Sequence, residues 1–104
     1  IGEGARIGER AIIGEGARIG EWARIGEWAR IGEGASDAID IGFADGYRKC
    51  IAQVDGVAYI GAGCRWFTLE QAHAHWDNRE DRALTSCLLM AADGIAFLKG
   101  WKSA

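Results

Sequence analysis

The segment GCRWFTLEQAHAHW, residues 63–76, gathers the side chains of this 104-residue chain best suited to chemistry. Arg65 offers a planar cation, Trp66 and Trp76 offer aromatic faces, and His73 and His75 offer imidazoles. An arginine among aromatic rings suits an anion or a ring-bearing ligand. His73 and His75 stand two residues apart. On a helix that spacing turns them about 200° apart, so they do not share a metal ion; on a strand they would. No acidic pair or Cys-x-x-Cys accompanies them, and neither a metal nor another cofactor is expected. Cys64 beside these histidines makes a nucleophile and a base, but no nucleophile motif surrounds it, and a buried thiol packing as a small hydrophobe is the default. No catalytic residue is assigned. The same cluster serves a simpler purpose as a junction that packs its aromatics.

These residues depend on the elements around them. Asp55-Gly56 between two β-rich runs is a two-residue hairpin signal. It predicts strands near 47–54 and 57–60, with Val54 opposite Val57 and Cys50 opposite Gly61. A further strand is expected over 64–67, with a bulge or bend at Gly61-Ala62-Gly63. A Cys50–Cys64 disulfide is not expected, because it would need that bulge. Thr68-x-x-Gln71 is a capping box and predicts a short helix to Trp76. Asp77 to Glu80 reads as a turn and a second helix start. Leu84, Cys87, Leu88, Ala91, Ile95 and Leu98 then recur at helical spacing, predicting one helix through Gly94 to about Lys99. Leu89, Met90 and Phe97 fall off that stripe, so this helix asks for a second partner besides the hairpin.

Residues 1–36 are six tandem hexads, IGEGAR with small edits, starting at Ile1, Ile7, Ile13, Ile19, Ile25 and Ile31. A six-residue period spirals around a helix but keeps its phase on a strand, where residues two apart share a face. Each hexad therefore predicts a short strand with Ala and Ile inward and Arg outward, followed by a corner made by the second-place Gly and the Glu after it. Three such sides close a coil of 18 residues, and residue n lies below n+18. Arg10 then falls under Trp28, and Glu15 under Glu33. Ile12 takes an outward arginine place, and Trp22 and Trp28 take variable outward places. These three, with Arg10, are candidate interface or ligand residues, because contiguous exposed apolar surface marks contacts. The stretch DAIDIGFADG, 37–46, keeps hexad echoes and would begin a third coil.

The hexads resemble the hexapeptide-repeat family, whose motif is an aliphatic residue, a small residue, two variable places, a small residue and one more. The resemblance implies a left-handed parallel β-helix and, since members are commonly trimers, a trimer as the favoured homo-oligomer. Acyltransferases of that family use a histidine as general base, and residues 1–36 contain none. The expected fold is mainly β: a β-helix of about two coils over 1–41, then a β-hairpin with two C-terminal α-helices over 42–104.

Two coils bury few isoleucines, each contributing about 1.5–3 kcal/mol, against ordering costs of about 1–2 kcal/mol per residue. Support must come from the C-terminal part, from partner chains or from further coils ahead of Ile1. A net charge of −3 argues against nucleic acid as a partner, and no apolar run reaches the length of a membrane span. Three cysteines without paired spacing and no visible secretion signal suit a cytoplasmic setting. Near-perfect repeats on a small unrelated cap also suit a virion-associated or phage accessory protein. The expected function is a non-catalytic structural module that oligomerises or terminates a longer solenoid. The alternatives are a small-ligand-binding protein of the nucleotide or sugar class, with its pocket between subunits, and a remnant acyltransferase.

Overall fold

The structure is a computed structural model that describes residues 6–8, 11–18, 24–25, 30–63 and 65–103. It is mainly β, with a four-stranded antiparallel sheet and two α-helices. Four two-residue strands come first: β1 (Arg6–Ile7), β2 (Ile12–Ile13), β3 (Arg24–Ile25) and β4 (Arg30–Ile31). β1 pairs with β3 and β2 with β4, both parallel, and each partner lies 18 residues further on. An isolated parallel bridge joins Arg18 to Ser36 at the same offset. Between these rungs the Gly14 N–H donates to Ile31 at 2.6 Å, the Arg18 N–H to Ala35 at 2.7 Å and the Gly34 N–H to Glu15 at 2.9 Å.

The glycines of the hexad divide the labour differently from the expectation. The fourth-place glycines turn the corner: Gly16 and Gly34 have φ of +75° and +72°, each inside a turn closed by an i to i+3 bond. The second-place glycines instead allow close approach. A Cβ on Gly14 would collide with the backbone of Gly32 and Glu33 in the rung above, and a Cβ on Gly32 would collide with the Trp66 indole. One column therefore runs Gly14, Gly32, Trp66.

The chain then leaves the expected path. Residues 37–46 do not start another coil. Through Ala44 they belong to β5 (Ser36–Ala44), which runs unbroken through the expected 41/42 boundary and pairs antiparallel with β6 (Tyr47–Val54). Asp45 (φ 52°) and Gly46 (φ 91°) form the tight turn between them. Asp55 (φ 52°) and Gly56 (φ 80°) make the expected hairpin to β7 (Val57–Ala62), with Val54 opposite Val57 and Cys50 opposite Gly61. Both turns have two positive φ angles, whose twist suits paired strands. Gly61 and Ala62 sit in regular ladder positions, and the expected bend falls at Gly63 (φ 57°), after which Arg65 pairs with Ala62 in β8 (Arg65–Thr68). The expected hairpin and the further strand after it are thus joined by β5 in a four-strand meander, order β5-β6-β7-β8.

Both faces of this sheet are covered, following the two-residue alternation of strands. Cys50, Ala52, Val54 and Trp66 pack against Ile13, Ala17, Ile31 and Ala35 of the repeats. Ile51, Ile60 and Phe67 face the helices α1 (Leu69–Trp76) and α2 (Ala83–Lys99), joined by a 3-10 turn at Glu80–Arg82.

α1 starts at the expected capping box, with Thr68 Oγ1 accepting from the Gln71 N–H and Gln71 Oε1 from the Thr68 N–H. α2 runs through Gly94 as expected, but its buried stripe is Thr85, Leu89, Ala92 and Ala96, one residue on from the expected one. Leu84 and Leu98 are exposed, and Leu88 and Ile95 are half-buried flanks. Small Ala72, Ala92 and Ala96 share one core, where small side chains let the helices come close to each other and to the sheet. Gly100, at φ 74°, ends α2 with bonds from Gly100 to Phe97 and from Trp101 to Ala96, a Schellman motif. Beyond it, Lys102 pairs with Gly56 and Ala58, and Ser103 accepts the Glu70 N–H at 2.8 Å.

Candidate functional site

Strand pairing sets Lys49, Ala62 and Arg65 side by side in one cross-strand row on the helix face of the sheet. Two long cations flank a methyl group, so the row leaves space above Ala62. Tyr47, Gly63, His75, Trp76, Arg79, Arg82 and Thr85 close the rest of a cleft of about 260 Å³. α1 delivers His75 and Trp76 from its last turn, the connection delivers Arg79 and Arg82, and α2 delivers Thr85. Three arginines and Lys49 line the cleft, and among the described residues lining it there is no carboxylate.

Lys49 lies at the base, only 1% exposed. Its Nζ donates to the carbonyls of Ala44 and Tyr47, the latter at 3.0 Å, and sits 5.6 Å from the centre of the Tyr47 ring. Burial pulls its pKa down to about 8, with nearby Asp45 opposing that drop and Arg82 adding to it. Asp45 is engaged with α2: its Oδ2 accepts the Thr85 N–H at 2.9 Å and the Thr85 hydroxyl at 2.7 Å. Those Thr85 bonds hold its pKa below the usual value. Asp45 therefore caps a helix 40 residues away, while the expected turn and start over 77–80 appear as a turn followed by the 3-10 turn that leads into α2. Arg79 and Arg82 both reach Asp81, at 3.6 and 3.2 Å. Arg65 forms no ion pair with a described residue.

The other sequence candidates scatter. Arg10, Trp22, Trp28 and Cys64 lie outside the described residues, and with them the Arg10–Trp28 stack. Ile12 is described and 51% exposed. Trp66 is on the opposite face of the sheet from the cleft, stacked on Tyr59 at 5.3 Å and covering Gly32. His75 packs against Phe67 and Trp76, with ring centres 5.1 and 5.0 Å away.

His73 points away to a separate cluster. Its Nδ1 is 2.6 Å from Asp77 Oδ2, and its Nε2 is 2.8 Å from Asp93 Oδ1. The Ser86 hydroxyl donates to the other oxygen of Asp77 at 3.1 Å. The two ring nitrogens serve two carboxylates on opposite sides, so the three groups do not converge on one ion, and Ser86 does not contact the imidazole. The arrangement is a charged clamp between α1 and α2.

Burial works against the charge on His73, but the bonds to Asp93 and Asp77 outweigh it and raise the pKa above 6.5. A raised pKa means that the clamp contributes fully below the unfolded value and is lost as pH rises through the folded one. Denaturant unfolding across this range is expected to show stability falling upward from about pH 6.5, and His73→Gln is expected to flatten that slope. An unchanged slope in the variant would remove the clamp from the account.

The bacterial transferase hexapeptide (six repeats) family model matches residues 1–35. Residues 1–35 are hexapeptide repeats. The match stops where β5 begins, so it covers about a third of the chain and none of the cleft. No curated protein and no solved structure matches the chain. Among the described residues no helix is long and apolar enough to cross a membrane.

Sequence reasoning singled out Arg65, His75 and Trp76 but not Lys49, Arg79 or Arg82. The hairpin register already set Lys49 opposite Ala62. Extending it by one strand would have brought Lys49 into line with Arg65.

Proposed function

We propose that the chain is a structural module: a short left-handed parallel β-helix of two coils, closed at one end by the sheet and its helices, that assembles with further copies of itself. The 18-residue offset on three successive sides supports the coil, and the repeat match supports its type. Self-assembly is carried by one observation, the apolar surface left open on α2. Phe97 and Leu98 are each 84% exposed, and Leu84 and Met90 are also exposed. A second copy of α2, laid antiparallel, brings Glu80 and Asp81 at one helix start toward Lys99 and Lys102 at the other's end. That pairing opposes unlike charges and antiparallel helix dipoles while covering both apolar faces. Exposed Ile12 is a further contact for the coil side.

Light scattering after gel filtration is expected to give a mass above 11.2 kDa that rises with concentration. Phe97→Glu combined with Leu98→Glu is expected to give a folded monomer. A strict monomer at high concentration in the unaltered chain would overturn this reading.

A further inference from the structure

We infer that the cleft between the sheet and the α1–α2 junction binds a small tetrahedral oxyanion, the phosphate of a phosphomonoester or free phosphate, through Arg65, Arg79 and Arg82 with Lys49 at its base. The inference does not depend on self-assembly.

Folding brings four cations from β6, β8, the 3-10 connection and its approach into one cleft, in a chain whose net charge is −3. Like charges held this closely repel, and the carboxylates at hand offset them only partly. Asp81 attends Arg79 and Arg82 from outside the lining, and Asp45 is already committed to Thr85. Arg65 has no ion pair of its own among the described residues. An anion seated above Ala62 would relieve all four at once. Guanidinium groups present paired N–H donors that match phosphate oxygens, and several arginines on different elements suit a tetrahedral rather than a planar anion.

Size sets the class further. A cleft of about 260 Å³ is small beside pockets for drug-sized ligands. It suits a phosphate with little attached, with Tyr47, His75 and Trp76 as the apolar wall. Burial of Lys49 adds to the field, since a cation with little water around it attracts an anion more strongly.

The test is calorimetric titration of the full chain with sodium phosphate and with phenyl phosphate, at matched ionic strength in chloride, read also by Trp fluorescence. Saturable one-to-one binding with a dissociation constant of about 1 mM or tighter is expected. Arg65→Gln, at an exposed strand position with no ion pair to a described residue, is expected to weaken it about tenfold. Lys99→Gln, a surface cation outside the cleft, is expected to leave it unchanged. Tighter binding of phenyl phosphate assigns the phosphomonoester, and equal affinity assigns free phosphate. No saturation, or equal effects of Arg65→Gln and Lys99→Gln, would overturn the inference. Circular dichroism of each variant keeps loss of fold apart from loss of binding.

Discussion

Gly14→Ala is expected to lower the stability of the repeat segment by about 3 kcal/mol, at the upper end of overpacking effects. The new methyl group would meet the backbone of Gly32 and Glu33. Backbone held by the Gly14–Ile31 and Gly34–Glu15 bonds cannot swing aside as a side chain can. Gly16→Ala provides the comparison. It meets nothing closer than 3.9 Å, but forces alanine to φ +75°, which costs about 1–2 kcal/mol. Hydrogen exchange at the Arg18 and Gly34 amides, which bridge the rungs, reads both variants. Equal protection in Gly14→Ala and the unaltered chain would show that the rungs are not stacked this closely. At Gly32 the obstacle is the Trp66 side chain, so Gly32→Ala is expected to change Trp fluorescence as the indole is displaced.

The second large effect lies in α2. Leu89→Ala is expected to cost about 2–5 kcal/mol, because Leu89 is fully buried in the main core between sheet and helices. Its loss should be the same at every protein concentration. Phe97→Ala removes more carbon from a side chain 84% exposed. It is expected to leave the isolated chain nearly unchanged and to weaken only the assembled form. Urea unfolding at two concentrations a hundredfold apart separates the two. A large, concentration-independent loss at Phe97 would place the buried face of α2 on the wrong side.

These two helix positions show how far the sequence could be read. α2 is apolar on several sides, so the helical spacing of Leu84, Leu88 and Leu98 dominates its pattern. What decided the buried side was close packing around Ala92 and Ala96, and small residues leave little trace in a hydrophobic pattern. Thr68 with Gln71 and Asp55 with Gly56 were legible because each signal is complete within a few residues. Asp45-Gly46 carries the same hairpin signal as Asp55-Gly56. It was masked by the preceding hexads, whose echo in residues 37–46 suggested that the coil continued.

The cleft was legible only in part. Arg65, His75 and Trp76 stand in one conspicuous segment, whereas Lys49 and Arg82 join them through strand register and the start of a distant helix. The Asp45–Thr85 cap has no local signature, since it spans 40 residues.

The column of Gly14, Gly32 and Trp66 bears on how the chain finds its shape. Near-identical hexads form a degenerate set: winding one hexad out of phase preserves most Ile and Ala contacts, so the repeats alone distinguish weakly between frames. Trp66 does not break that degeneracy by itself, because every hexad carries a second-place glycine that would fit beneath the indole. What sets the phase is β5, which is continuous with the last hexad and paired in a fixed register with β6. The sheet thus anchors the last hexad, through β5 and through Trp66 over Gly32. Delaying sheet formation is therefore expected to yield misphased coils rather than merely slow ones.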